Sequence, residues 1–143
     1  MKRVMISGIA MLFSFGIFAQ ATPGKMPNSA QEFINKHFSS ATAVEVKENS
    51  SWEIWEDEKF EVTLSNGVEL DFDENGNVLE IESRNNEAIP NAALPANIVS
   101  YLQSNYAGEQ IVSWDRKDKG QEVELSNGVE LEFDAEGKFL KID

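Results

Sequence analysis

The chain has 143 residues, a formal net charge of −13 and no cysteine. The acidity argues against nucleic acid as a partner, because that affinity rests on Lys and Arg neutralising phosphates, and it disfavours anionic lipid surfaces. Without thiols there is neither a disulfide framework nor a lipid-modified cysteine, so a folded core has to hold the molecule together.

The chain opens with Lys2 and Arg3, a mostly apolar stretch from Val4 to Phe18, and Ala19-Gln20-Ala21. This is the pattern of a secretory signal peptide over residues 1–21, removed near Ala21 and leaving no membrane attachment. Removing Lys2 and Arg3 takes the charge to −15. A linker follows over residues 22–28, with two prolines and a glycine. Asn28 or Ser29 then reads as the cap of a helix running to about Phe38, with Glu32 in the capping-box position and Ala30, Phe33, Ile34 and Phe38 as its apolar stripe. Alternating residues follow at Val44 and Val46, Val62 and Leu64, Val68 to Phe72, and Leu79 and Ile81. A longer connection, Asn49 to Glu58, interrupts them and contains Trp52, Ile54 and Trp55. Ser83 to Ala88 is polar and marks a boundary.

The same order then returns. Pro95 opens a helix from about Leu94 to Tyr106, striped by Ile98, Val99, Leu102 and Tyr106, and Gly108 stops it. Val112 and Trp114, Val123 and Leu125, Val129 to Phe133, and Leu140 and Ile142 follow. Ser65-Asn66-Gly67-Val68-Glu69-Leu70-Asp71-Phe72-Asp73 recurs 61 positions later as Ser126-Asn127-Gly128-Val129-Glu130-Leu131-Glu132-Phe133-Asp134. Each Asn-Gly is a hairpin turn. The expected fold is α+β, as two tandem repeats, 29–83 and 89–143, each one helix followed by a four-stranded antiparallel meander. Either half alone buries too little to offset its ordering entropy, so the two are expected to pack as one unit. Whether the two sheets join edge to edge stays open.

A sheet that alternates this cleanly buries one face and wets the other. With Val62, Leu64, Val68, Leu70 and Phe72 inside, Glu61, Glu69, Asp71, Glu80 and Glu82 face out. In the second repeat Glu122, Glu124, Glu130 and Glu132 do the same, moderated by Lys141. Such a face either keeps the protein soluble or attracts a cationic partner while rejecting anionic ones. Trp55, out of phase with Trp52 and Ile54, is a candidate anchor on that face or packs beneath its own loop. Val78 and Phe139 are likewise out of phase with their neighbours. Trp52 and Trp114 are assigned to the core.

The element order and the repeated Ser-Asn-Gly-Val-Glu-Leu-(Asp/Glu)-Phe-Asp pattern resemble the PepSY-like, beta-lactamase-inhibitor-like family of periplasmic proteins. The most specific residues are Val62 to Gly67 with Phe72 to Asn77, and Val123 to Gly128 with Phe133 to Gly137. The likeness covers about Met26 to Asp143. It implies tandem units whose sheets form an exposed binding surface in the periplasm or outside the cell. It implies no specific target and no individual inhibitory residue.

Asp71 to Glu82 matches the pattern of a twelve-residue calcium loop, with Asp71, Asp73, Asn75 and Glu82 at ligand positions. The rival reading is a hairpin turn around Glu74-Asn75-Gly76 between strands with outward acids. The period-two flanks favour the turn, and the second repeat loses the pattern at Glu136. Catalysis finds little support: the one histidine, His37, lies near a helix end, and no zinc-ligand cluster or phosphate loop occurs. The expectation is a secreted, non-enzymatic module without a cofactor, which engages a protein or peptide partner (basic, or a secreted hydrolase). Glu69, Asp71, Glu130, Glu132 and Trp55 are the expected contacts. Cation binding or calcium buffering by the acidic turns is the alternative.

Overall fold

The computed structural model describes residues 26–49 and 59–143. The signal segment, most of the linker and the Trp52, Ile54 and Trp55 connection lie outside the described residues. Helix α1 spans Asn28–His37 and precedes strands β1 (Ala43–Glu48), β2 (Phe60–Leu64), β3 (Val68–Phe72) and β4 (Val78–Ser83). A one-turn 3₁₀ segment, Asn91–Ala93, leads into α2 (Ala96–Asn105). Strands β5 (Ile111–Lys117), β6 (Gly120–Leu125), β7 (Glu130–Asp134) and β8 (Phe139–Ile142) complete the chain.

The two meanders are not separate sheets. β4 pairs antiparallel with β5, through Glu80 opposite Asp115, Ile81 opposite Trp114 and Glu82 opposite Ser113. The result is one eight-stranded sheet in sequence order, β1 to β8. The helices start 68 residues apart, at Asn28 and Ala96, whereas Val62 and Val123 stand 61 apart. The seven extra residues belong to the first repeat's connection between β1 and β2.

Both helices lie on the apolar face. Ala30, Ile34, Ile98 and Leu102 are buried in one cluster with Val62, Leu64, Leu70, Phe72, Val123, Leu131 and Phe133. Aromatic edges lock helix to sheet at equivalent places, Phe33 on Phe72 at 6.0 Å and Tyr101 on Phe133 at 5.6 Å between ring centres. The buried-and-half-buried alternation of β2, β3 and β6 follows the predicted parity residue by residue.

Helix starts differ from expectation. The N-caps are Pro27 and Pro95, with no side-chain cap bond. Ser29 Oγ, expected to cap its own helix, instead donates to the Asn75 carbonyl at 2.6 Å, in the turn between β3 and β4. Asn97 reaches the Glu136 carbonyl of the equivalent turn between β7 and β8. Each helix is thus fastened by its first turn to the last hairpin of its repeat. Gly76 has φ +81°, and a Cβ there would stand 2.1 Å from Ser29 Oγ and 2.9 Å from the Ala30 amide. Only glycine serves both the left-handed turn and that approach.

The other departures come from β-bulges, which insert one residue and reverse parity beyond it. Register shifts occur between Ala43 and Glu45, between Ile111 and Ser113, and where Asp71 and Phe72 of β3 meet Glu80 and Val78. A fourth falls where Glu132 and Phe133 meet Lys141 and Phe139. Consequently Val44 is 48% exposed. Val112, though buried, belongs not to the core cluster but to the polar side, beside Glu82, Arg84 and Glu124. Leu79 is the extra residue of β4 and is only half-buried. Val78 and Phe139, expected toward the acids, pack on the core instead, and Phe139 stacks on Tyr101 at 4.7 Å. Leu140, the extra residue of β8, is exposed for the same reason, whereas Ile142 keeps its parity opposite Leu131 and is exposed because β8 is the outer strand.

Candidate functional site

Pairing across the continuous sheet turns the outward side chains into rows. One row runs Lys47, Glu61, Asp71, Glu80, Asp115, Glu122, Glu132, Lys141, one residue from every strand. Its six carboxylates stand side by side, with a lysine closing each end. At about 4.8 Å per strand they span about 24 Å. The parallel row runs Glu45, Thr63, Glu69, Glu82, Ser113, Glu124, Glu130. Like charges directly opposite one another in a sheet are destabilising. The tolerated cost is therefore repeated at Glu61–Asp71, Asp71–Glu80, Glu80–Asp115, Asp115–Glu122 and Glu122–Glu132.

Four cations temper this field from its margins. Lys47 Nζ lies 3.0 Å from Glu61, and Lys141 Nζ lies 3.1 Å from Glu132 and 2.9 Å from Asp143. Lys117 Nζ is 3.0 Å from Glu122 and 3.4 Å from Asp115. Arg84 grips Glu69 with two bonds, Nε at 2.6 Å and a terminal nitrogen at 2.7 Å, and stands 4.0 Å from Glu82. Hydrogen bonds to these carboxylates, and their charge, raise the pKa of each of the four cations, that of Lys47 chiefly through Glu61 and that of Arg84 chiefly through Glu69. All four are more than half exposed, so these pairs add little to stability and mainly shape the surface field. Glu61, Glu69, Asp71, Glu80, Glu82 and Arg84 line a shallow depression of about 220 Å³ on the first repeat.

The candidate contacts fall on this one face. Glu69 and Asp71 sit on β3, opposite Glu82 and Glu80, and Glu130 and Glu132 sit on β7, opposite Glu124 and Glu122. β3 and β7 are four strands apart, about 19 Å. Trp55 lies outside the described residues. Asp115 and Arg84 were missed by the sequence reading. Asp115 follows Trp114 and carries the parity that could have placed it outside; nothing marks Arg84, which reaches the face only because β4 ends beside Gly67.

The residues of the calcium-loop pattern are spread along the hairpin. Asp73 closes the turn itself, accepting the Asn75 and Asn77 amides, each at 2.8 Å, and the Asn77 side chain. Its pKa is lowered: burial opposes the charge, but the hydrogen bonds from Asn77, Asn75 and Gly76 outweigh it. Asp71 faces Glu80, while Glu82 faces Glu69, further from the turn. Among the described residues no group of three or more His, Cys, Asp or Glu side chains is arranged to hold a metal ion. The His37 ring packs tilted against Phe33, with ring centres 4.7 Å apart, and burial, then Lys36, lowers its pKa.

The profile of the PepSY-like, beta-lactamase-inhibitor-like family matches residues 21–80 and again 58–141. A periplasmic protein from Bacteroides thetaiotaomicron, described as calcium-regulated, is 35% identical with a TM-score of 0.74, over 83% of this chain and 91% of that one. A periplasmic protein of unknown function from Bacteroides vulgatus is 34% identical with a TM-score of 0.70, over 83% and 92%. A second from the same organism is 32% identical with a TM-score of 0.73, over 82% and 90%. No curated protein matches the chain.

Proposed function

The chain belongs to the PepSY-like, beta-lactamase-inhibitor-like family of periplasmic proteins, and from its sheet we propose a non-enzymatic binding module for a cationic protein or peptide. In this reading residues 1–21 export the chain and are removed. The observation that carries the proposal is the six-carboxylate row, which crosses the junction between repeats without a break. Two repeats that had drifted into acidity separately need not have kept their acids in register at β4–β5. A continuous row of this kind steers a positively charged partner to the face and repels anionic ones. Glu69, Asp71, Glu130, Glu132 and Trp55 are the proposed contacts. A secreted hydrolase with a basic rim is one partner that fits.

The test is capture of partners from periplasmic extract by wild type and by a variant carrying E69Q, D71N, E130Q and E132Q. Loss of capture in the variant, restored by no other surface change, is the expected result. Equal capture of the same proteins by both removes the acidic face from the function.

One observation favours a second reading, binding of Ca²⁺. A relative 35% identical to this chain is described as calcium-regulated, and the acidic depression on the first repeat offers oxygen ligands of the type that ion prefers. Of the four calcium-loop residues, Asp71 and Glu82 line that depression and are its candidate ligands, whereas Asp73 and Asn75 belong to the turn outside it. Calorimetric titration of chelator-treated protein separates the two readings: no heat and no rise in melting temperature at millimolar calcium ends this one.

A further inference from the structure

The internal repeat makes one joint, β4 to β5, and among the described residues the corresponding outer edges of the sheet carry no further strand. β8 is the second repeat's equivalent of β4, and β1 is the first repeat's equivalent of β5. They are the two outer strands of the sheet, and among the described residues no strand pairs beyond them. The large apolar side chains most exposed among the described residues, Val44, Leu140 and Ile142, all lie on these two strands. The contrast at one position shows why. Ile81 on β4 is fully buried opposite Trp114, whereas its counterpart Ile142 on β8 is 56% exposed.

Carrying the β4–β5 register over to a β8 and β1 from two molecules fixes every contact. Ile81 opposite Trp114 becomes Ile142 opposite Val46, an apolar pair. Glu82 opposite Ser113 becomes Asp143 opposite Glu45. Glu80 opposite Asp115 becomes Lys141 opposite Lys47. Side by side, two copies would bring together the two lysines that close the acidic row. Unpaired edges invite strand addition from another chain, and lysine on an edge strand is a common block to it.

We propose that β8 and β1 form a latent head-to-tail interface between copies of this chain, which Lys141 and Lys47 hold apart. The joint uses the same backbone pairing that already unites the two repeats. What it lacks is charge complementarity, first where Lys141 meets Lys47 and again where Asp143 meets Glu45. Because the contact is heterologous, the edges left free by one pairing accept further copies, and the product is an open chain of molecules rather than a closed dimer.

The experiment is sedimentation velocity of the folded protein from micromolar to high-micromolar concentration at low salt, with circular dichroism confirming each fold. Wild type is expected to stay monomeric. K141E and, separately, K47E make the facing pair opposite in charge and are expected to associate about tenfold more tightly than wild type, in a series without a fixed size. The double variant K47E/K141E again opposes like charges and is expected to return to monomer. Two single variants that both remain monomeric overturn the proposal, and so does a double variant that assembles as the singles do. A closed dimer in either single variant also overturns it, because that product needs a two-fold interface.

Discussion

Gln121 offers the sharpest test of how the second repeat is held together. It is the one buried polar side chain among the described residues, at 6% exposure, and stands where the first repeat has Phe60. Its Oε1 accepts the Trp114 indole N–H at 3.0 Å, and its Nε2 donates to the Asp134 and Ala135 carbonyls at 3.2 Å. It thereby ties the largest buried side chain to the turn between β7 and β8. Gln121→Leu keeps the volume and removes all three bonds. Trp114 is 1% exposed, so its N–H loses its partner with no access to water, at about 1–3 kcal/mol. The two turn carbonyls lie near solvent and recover their bonds there, and the new apolar side chain returns part of the loss. A net destabilisation of about 1–2 kcal/mol follows, or roughly 4–8 °C in melting temperature for a domain of this size. Urea unfolding followed by far-UV circular dichroism measures it. A cycle with Trp114→Phe isolates the bond: that substitution should cost about 1 kcal/mol less in the Gln121→Leu background than in wild type. Equal or greater stability of Gln121→Leu, or no coupling in the cycle, refutes the reasoning.

Other consequences can be measured on the same footing. Gly128 has φ +83° with nothing within 4 Å of an added Cβ, so Gly128→Ala should cost only the left-handed penalty, about 1–2 kcal/mol. Gly76→Ala adds a collision with the first turn of α1 and should be clearly worse in urea unfolding; equal costs would mean that the helix is not fastened there. Glu130→Gln relieves the Glu124–Glu130 opposition and should stabilise by a few tenths of a kcal/mol at low salt, with the gain vanishing in 0.5 M NaCl. The depressed pKa of Asp73 means that its charge stabilises the fold above the ordinary carboxylate value of about 3.9, and that this is lost as pH falls through the lower folded value. Asp73→Ala should therefore trail wild type at pH 7 by a gap that narrows as pH falls below about 3.9; a constant gap would assign the loss to the turn's shape alone.

The strands and the two faces were legible because parity is a local property. Leu70 and Phe72 point one way and Glu69 and Asp71 the other wherever the sheet runs regularly. Parity failed where the backbone gains a residue, at Val44, Val112, Leu79 and Leu140, because a bulge leaves no mark on the order of apolar and polar residues. The helix caps failed for a different reason. Ser29 suits an N-cap by type, but a tertiary acceptor, the Asn75 carbonyl, competes for its hydroxyl. The row of acids was half legible: each repeat showed its own carboxylates, while their alignment depends on the β4–β5 register, set between residues far apart in the chain.

That joint also bears on how the molecule forms. Most strand pairs here close over a short connection, whereas β4 and β5 are separated by residues 84–110, which include all of α2. Contacts between near neighbours form fast, and the slow step of folding lies where a long stretch of chain is ordered before any bond rewards it. Kinetics should therefore divide the sheet: substitutions inside a meander chiefly hasten unfolding, while Ile81→Ala, at the seam, should slow folding itself.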